Sequence, residues 1–303
     1  MTSPQLRGAI YGLSAAAIWG GMYVVSDVVL QVIPPFTLLS LRLLLSMLIL
    51  GLLAWLTHPP RPATRADYGR ILLVGFVGFG ISLGAQFVGT DLSNAVNGAL
   101  ITSASPAFIL IFAVLLLHER LTGLRVAAVA LATLGVVVII NPSEAGFTSN
   151  AFLGNMALAV AALTWGLYSV LVRQLSGRVD TLVFSFLAPA GGLLLTLPAA
   201  AVELQSRPVG EITPAVIAGV FYLSAISTAL AMWMWNRAFA LVDASTASLF
   251  FFAQPLVGAV LSVVLLGQVM TGGLWLGGAM IGAGVLLALL GDRWRRVRIG
   301  SKD

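Results

Sequence analysis

Long apolar runs constrain this chain more than any other feature. Along its 303 residues, run after run of about 20 residues carries almost no charge, which is the length an α-helix needs to cross a bilayer core. Charged residues make up only 9% of the chain, against roughly 25% in a soluble domain. The chain is therefore predicted to be an all-α membrane protein, and a soluble globular fold is excluded.

Ten transmembrane spans are predicted from these runs, and the remaining loops and tails leave no room for a separate soluble domain. The spans are 8–29, 36–56, 71–90, 95–117, 124–140, 152–172, 181–202, 215–234, 244–266 and 272–290. Stretches such as 136–140 are apolar on every face, whereas barrel strands alternate apolar and polar residues. The spans are therefore interpreted as helices.

Basic residues fall almost entirely in the loops of one side. Of the 16 Lys and Arg residues, only Arg207 lies in a loop of the other side and only Arg42 lies well inside a span. The positive-inside rule then predicts that both termini are cytoplasmic. The strong bias toward Arg over Lys favours a bacterial inner membrane. Because no basic stripe with interleaved aromatic residues occurs, the net charge of +5 does not indicate nucleic-acid binding.

The second half of the sequence repeats the first. At a spacing of 149 residues Pro106 pairs with Pro255, and at a spacing of 146 Trp19-Gly20 pairs with Trp165-Gly166. These pairs predict two five-helix units, 1–145 and 146–303, that together form one membrane domain. Because five is odd, the second unit starts on the other side and is inverted. Inverted repeats around a midplane cavity are typical of transporters.

Several short motifs strengthen this interpretation. They are Trp19-Gly20, Arg42, Ser105-Pro106, the run His118-Glu119-Arg120-Leu121-Thr122, Gly135-Val136 and Trp235-Asn236-Arg237-Ala238. On these residues the chain resembles the paired EamA-type units of the drug/metabolite transporter superfamily, and within it the YddG-type exporters of aromatic and other amino acids. The resemblance implies ten helices and amino-acid export. Residues 267–271 depart from the family pattern, because they lack the acidic residue that the family often has at the equivalent place in the second unit. A role of Glu119 in the first unit therefore need not have a counterpart in the second.

Aromatic and amide side chains inside the spans are the candidate pathway. Trp19 and Tyr23 share one helical face, as do Trp165 and Tyr168, and aromatic rings can stack on a solute or face its ammonium group. Neutral amides can bind a zwitterion without a fixed charge. The predicted pathway residues are Trp19, Tyr23, Arg42, Gln86, Asn97, Trp165, Tyr168, Trp233 and Gln254. A lipid-interface belt for the aromatic residues and interhelical hydrogen bonding for the amides stay open as alternatives.

Three further features have two interpretations each. Arg42 is predicted to meet a substrate carboxylate, or else to extend its side chain to the interface. Pro106 and Pro255 delete equivalent helical hydrogen bonds, so they are either paired hinges or static kinks. The spacing of Gly273 with Gly277, and of the next such pair at 278 and 282, predicts tight helix contacts or the seam of a homodimer.

An enzyme is not expected. The pattern Gly80-Ile81-Ser82-Leu83-Gly84 lies inside an apolar span, the chain has no Cys, and its two His residues lie in loops, so no catalytic residues, metal site or cofactor are predicted. No Asp or Glu lies in the middle third of a span, which favours a facilitator over a proton pump. The predicted function is export of small organic solutes, chiefly amino acids. The alternatives are efflux of drugs or other metabolites and, from another class, an intramembrane lipid-modifying enzyme. A nucleotide-sugar carrier is disfavoured, because binding phosphate groups would require more basic residues inside the membrane than Arg42 alone.

Overall fold

In a computed structural model of the chain, nearly every described residue is helical. The described residues are 3–93, 98, 101–140, 149–266, 272–273, 275–284 and 286–287. No strand occurs within these ranges, which confirms the predicted all-helical character. The predicted pathway residue Asn97 and the basic C-terminal tail lie outside the described residues, and so does the side chain of Tyr23.

The helices follow one another with short connections. They are α1 (Pro4–Leu30), α2 (Pro35–Thr57), α3 (Arg65–Leu92), α4 (Ser105–Leu117), α5 (Gly123–Ile140), α6 (Ser149–Leu175), α7 (Thr181–Ser206), α8 (Pro214–Leu241), α9 (Ala244–Ala247, Ser248–Phe252 and Ala253–Leu266) and the helical residues between 272 and 287, here α10. Among the described residues, α2, α3, α6, α7 and α8 are long and apolar enough to cross a membrane. The count of ten spans remains a prediction.

Capping residues explain where several helices begin and end. The Asp180 carboxylate accepts a hydrogen bond from the backbone N–H of Leu182 at 2.8 Å and starts α7, while the Thr64 hydroxyl accepts from Asp67 and starts α3. His58 and His118 end α2 and α4 with φ values of 49° and 55°, the left-handed conformation of a helix C-terminus. The two imidazole-bearing residues therefore serve as helix ends.

Two helices contain a wide π-helical stretch. It covers Phe76–Ser82 in α3 and Tyr222–Leu230 in α8. The two stretches begin 146 positions apart, which is the spacing that pairs Trp19 with Trp165. Each unit therefore carries the same irregularity in its third helix, and π-helical turns in other proteins often occur at functional sites.

Glycine lets α3 and α7 approach each other to backbone contact. A Cβ atom on Gly75 would collide with the carbonyl oxygen of Ala188, and one on Gly191 would collide with that of Leu72. In the same way a Cβ on Gly135 of α5 would lie 2.7 Å from the carbonyl oxygen of Gly277 in α10. Gly277 thus makes a tight helix contact within the chain, while a homodimer remains a prediction.

The bundle has two chemically different ends. The basic end is where α1, α3 and α5 begin and where Arg125, Arg173 and Arg237 lie. The opposite end is where α1 and α3 finish and α2 and α8 begin. Between these ends α2 packs along α7, α1 packs along α8 and α9, and α3 packs against α6 and α7. The helices α1, α3, α4, α6, α8 and α9 therefore surround the middle of the bundle.

Candidate functional site

A cavity lies at the middle of the bundle, about halfway along the helices. Its empty space is about 380 Å³ when the open solvent at its mouth is included. The lining comes from six helices: Trp19, Met22, Ser82, Leu83, Gln86, Thr102, Ser105, Ala161, Trp165, Met232, Phe251 and Gln254. This lining is mainly apolar and aromatic, with hydroxyl and amide groups, and none of its described side chains is charged.

The lining is positioned by irregular helix geometry. Ser82 is the last residue of the π-helical stretch of α3, and its hydroxyl donates to the carbonyl oxygen of Ala161 at 2.9 Å. Ser105 begins α4 after a turn at 103–104, and its hydroxyl donates to the Thr102 carbonyl at 2.6 Å. Gln254 follows the 3-10 stretch Ser248–Phe252 of α9. The breaks therefore bring polar groups to the middle of otherwise apolar helices.

A second cavity continues the first toward the opposite end. It has about 200 Å³ of empty space, again with its opening included, and it shares Met22 and Gln86 with the central cavity. Its other lining residues are Ser26, Leu30, Phe87 and Thr90. The two neighbouring spaces are together called the path, and the space along α1 and α3 is called the branch. The path therefore extends from the middle of the bundle toward the opposite end.

Packed aromatic rings close the central cavity toward the basic end. The ring of Trp19 lies 5.4 Å from that of Trp165 and 5.2 Å from that of Trp235, centre to centre. Trp235 in turn contacts Phe239 at 5.0 Å, and both side chains are completely buried. Such edge and tilted ring contacts pack densely and are favourable beyond their buried area. The cluster of Trp19, Trp165, Trp235 and Phe239, here called the aromatic plug, separates the cavity from the basic end.

A buried hydrogen-bond network supports the plug. The Tyr168 hydroxyl donates to Asn236 Oδ1 at 2.8 Å, and Asn236 Nδ2 donates to the Ser185 hydroxyl at 3.0 Å. The network joins α6, α8 and α7, and all three residues are buried. Buried polar groups are costly unless they are paired, so this chain of bonds fixes the orientation of the three helices.

Arg42 faces the π-helical stretch of α8. Its Nε atom donates to the Leu223 carbonyl at 3.2 Å, and its Nη2 atom donates to the Thr228 hydroxyl at 2.9 Å. The side chain is completely buried, so the alternative of extension to the interface does not describe it. The π-helical stretch frees the Leu223 carbonyl, which also accepts from Thr228 at 2.6 Å. Arg42 therefore holds the wide turn of α8, and it is not part of the cavity lining.

An ionic network ties several helices together at the basic end. The Glu119 carboxylate accepts hydrogen bonds from the backbone N–H groups of Ala244 and Ser245, at 2.8 and 3.1 Å, and so caps α9. Arg125 donates to the Ser245 hydroxyl at 2.6 Å and pairs with Asp243 at 3.2 Å. Arg173 of α6 lies within 4.0 Å of the same Asp243 carboxylate. This group, here called the basic-end clasp, joins α4, α5, α6 and α9.

A smaller set of contacts joins the helices at the opposite end. Arg207 pairs with Asp91 at 2.6 Å and donates to the Leu30 carbonyl at 2.9 Å, so it links the ends of the two helices that line the branch. The hydrogen bond to Asp91 raises the pKa of Arg207 above its usual value. Both side chains are partly exposed, and exposed ion pairs are weak, about 1 kcal/mol or less. This link can open at little cost.

Four of the predicted pathway residues line the central cavity, and three others, Arg42, Tyr168 and Trp233, do not. Trp19, Gln86, Trp165 and Gln254 all line the central cavity. Tyr168 lies behind it in the buried network, and Trp233 is half-buried against Tyr11, with ring centres 5.5 Å apart. Pro106 and Pro255 follow irregular stretches, a turn at 103–104 and the 3-10 stretch of α9. Both prolines therefore sit at equivalent breaks, and their action as hinges remains a prediction.

Sequence reasoning did not select several cavity and plug residues. Met22, Ser82 and Phe251 line the cavity, and Trp235 completes the plug. Trp235 belongs to the motif Trp235-Asn236-Arg237-Ala238, but Trp233 was selected in its place. Residues two positions apart point to opposite sides of a helix, so only one of the two indoles could face the interior. In the described part of the chain, no three metal-ligating side chains come together.

Comparisons with known proteins agree with this arrangement. A sequence profile described as "EamA-like transporter family" matches residues 6–141 and again residues 152–290. The Escherichia coli strain K12 protein called "Probable amino-acid metabolite efflux pump" is 26% identical over 305 residues, covering 97% of this chain and 99% of its own. The Bacillus subtilis protein called "Uncharacterized transporter YetK" is 28% identical over 264 residues, covering 86% and 80%.

The fold is also that of a solved protein. A crystal structure superposes with a TM-score of 0.80 over 95% of this chain and 98% of that one, at 21% sequence identity. At this identity the likeness shows the fold alone. The two profile matches show that the helical bundle consists of two copies of one unit.

Proposed function

The chain belongs to the EamA-like transporter family, and from that premise we propose that it exports small organic solutes, chiefly neutral and aromatic amino acids. The observation that carries the proposal is the central cavity, where Trp19 and Trp165 meet the amides of Gln86 and Gln254. Its relatives are named as transporters and, in two cases, as amino-acid metabolite efflux pumps, and these names support a transport function in a membrane.

The chemistry of the lining suits a neutral amino acid. Indole rings offer a flat apolar surface for the solute's side chain and an electron-rich face for its ammonium group. The amides of Gln86 and Gln254 can donate to a carboxylate and accept from an ammonium group without any fixed charge. A site of this kind holds a zwitterion loosely enough to release it. We therefore place the solute between the two indoles and the two amides.

The proposed topology has ten spans in two inverted five-helix units, with the basic end in the cytoplasm of a bacterium. The two profile matches and the equivalent π-helical stretches support duplication. The concentration of Arg at one end supports the orientation through the positive-inside rule. In this orientation the branch leads toward the periplasm, and the aromatic plug and basic-end clasp close the cytoplasmic side.

Transport follows by alternating access. The cytoplasmic side opens when the plug separates, and the periplasmic side closes when α1 and α3 approach each other below Arg207 and Asp91. Within the described residues the lining has no carboxylate, so the solute gradient rather than a proton relay drives the cycle. We propose a facilitator on this basis.

Efflux of drugs is the second candidate function. Met22 and Met232 favour it, because methionine side chains adapt to ligands of varied shape and line many promiscuous binding sites. Lipophilic cations are the appropriate probes for this alternative, since they would stack on the indole rings through cation–π attraction. The two candidates therefore differ in the charge of the solute.

Counterflow in proteoliposomes tests the proposal. Vesicles containing purified protein are loaded with unlabelled phenylalanine, threonine or methionine, and uptake of the labelled amino acid is followed against protein-free vesicles. Saturable uptake that collapses when the internal amino acid is omitted is the expected result. Exchange of a lipophilic cation with no exchange of any amino acid would move the assignment to drug efflux. Concentrative uptake driven by a pH gradient alone would overturn the facilitator.

A further inference from the structure

Arg42 carries a positive charge that no carboxylate balances within the described part of the chain. Its hydrogen-bond acceptors are the neutral oxygens of Leu223 and Thr228, and its Nη1 atom has no partner although the side chain is completely buried. A guanidinium stays protonated in proteins, and an unpaired buried charge is costly to keep. The charge is therefore available to act on something outside the chain.

The guanidinium lies one side-chain layer behind the solute path. Its Nη2 atom is 3.7 Å from the sulfur of Met22, and its Cζ atom is 4.9 Å from the centre of the Phe87 ring. Met22 lines both the central cavity and the branch, and Phe87 lines the branch. None of the described lining residues of the two spaces is acidic or basic. Arg42 is therefore a fully buried formal charge that lies one side chain away from both spaces.

We infer that Arg42 sets the charge selectivity of the path, favouring solutes that carry a carboxylate and disfavouring those that carry only a positive charge. The inference rests on the proposed function and adds to it the electrical class of the substrate. In a poorly hydrated interior a charge acts across a layer of side chains, and one unit charge on the solute changes its affinity by about tenfold. A buried arginine can exclude cations from a membrane pathway in the same way.

A purely structural role for Arg42 predicts something different. If the guanidinium only holds the wide turn of α8, then removing its partner Thr228 should have the same consequences as removing Arg42 itself. Thr228→Val keeps the shape of the side chain and removes the hydroxyl that accepts from Arg42. It leaves the positive charge in place. This variant is the matched control, because it disturbs the same contact without changing the electrostatics.

Three compounds with one aromatic ring and different charges make the test. Phenylalanine is a zwitterion, 3-phenylpropionate is an anion and phenethylamine is a cation. Each competes with labelled phenylalanine in counterflow, and the ratio of half-inhibitory concentrations is compared within each variant. This ratio is independent of the amount of active protein. We expect wild type, Arg42→Lys and Thr228→Val to bind the cation about a hundredfold more weakly than the anion, because the two compounds differ by two unit charges. We expect Arg42→Gln to lose most of that ratio.

The outcomes separate this inference from the proposed function. An unchanged ratio in Arg42→Gln, or an equal change in Thr228→Val, overturns the selectivity role while amino-acid transport stands. If wild type binds phenethylamine more tightly than 3-phenylpropionate, the selectivity role of Arg42 is overturned even when Arg42→Gln does not fold. If wild type shows no counterflow, the proposed function fails, and heat stabilisation of the purified protein by the three compounds still ranks them by charge.

Discussion

The Glu119 carboxylate accepts two hydrogen bonds from Ser245, one from the backbone N–H and one from the side-chain hydroxyl of that serine. Glu119 lies just after the end of α4 and Ser245 lies in the first turn of α9, so the pair fastens two helices that both line the central cavity. The bond pattern is that of a carboxylate capping a helix N-terminus, where the first N–H groups lack partners within the helix. The pair therefore secures the closed cytoplasmic side of the proposed cycle.

We predict that Glu119→Gln loosens the basic-end clasp. The substitution keeps the size of the side chain but removes the charge that binds the helix N-terminus, at a cost of about 1 kcal/mol. Because the chain has no Cys, a single Ser248→Cys substitution introduces the only thiol, at a buried position of α9. Maleimide should label this thiol about fivefold faster in the Glu119→Gln background, since about 1 kcal/mol shifts an opening equilibrium by that factor.

Glu203→Gln is the matched control for Glu119. The Glu203 carboxylate accepts from the backbone N–H of Thr37 at 3.0 Å and thus caps α2 at the opposite end. It joins α7 to α2, which pack along each other and do not line the cavity. We expect a similar loss of thermal stability and no faster labelling at position 248. Equal labelling rates in both variants would show that Glu119 is a structural cap and not part of a gate.

Gln254→Ala should reduce transport without loss of folding. Gln254 is buried and lines the central cavity together with the indoles of Trp19 and Trp165. If that amide bonds to the solute, its removal costs about 1–2 kcal/mol, which lowers kcat/KM about tenfold. Initial counterflow rates per mole of monodisperse protein measure the effect. Gln174→Ala, on the exposed face of α6, should leave the rate unchanged; a wild-type rate in Gln254→Ala would remove this residue from the site.

Tyr168→Phe should destabilise the protein through its buried network. The substitution removes the hydroxyl that donates to Asn236 at 2.8 Å and leaves the Asn236 oxygen buried without that donor. An unmade buried hydrogen bond costs about 1–3 kcal/mol. Tyr68→Phe, at an exposed position near the start of α3, should change stability by less than about 0.5 kcal/mol. Melting temperatures of the two purified variants compare them directly, and equal values would mean that the network contributes nothing.

The helical nature of the chain follows from its apolar runs, because a run of 20 uncharged residues has few other solutions. Four of the cavity residues could be selected as well, since Trp19 and Trp165 are large residues deep inside spans and Gln86 and Gln254 are polar ones. Polar groups in hydrocarbon need partners, so their position alone directs attention to the interior. The duplication was also detectable, because Pro and Trp pairs stand out against an Ala, Leu and Gly background.

The finer geometry could not be predicted from the same patterns. A π-helical stretch has the same composition as an α-helix, so the wide turn at Tyr222–Leu230 and its capture by Arg42 left no trace in the sequence. Whether Trp233 or Trp235 faces the interior depends on how α8 is rotated about its axis. The sequence of an almost uniformly apolar helix does not indicate that rotation. Contacts across the bundle decide such details, and they join residues as far apart as Arg42 and Thr228.

Opposite effects are predicted for the same substitution at two glycines of α3. A methyl group on Gly75 would collide with the Ala188 carbonyl, so α3 and α7 must move apart, and overpacking of this kind costs about 1–3 kcal/mol. At Gly69 nothing lies within 4 Å of a new Cβ atom, and Gly→Ala in a helix then gains about 0.5–1 kcal/mol. Gly75→Ala should therefore lower the melting temperature and Gly69→Ala should raise it. If Gly75→Ala is as stable as wild type, the backbone contact between α3 and α7 does not exist in the folded protein.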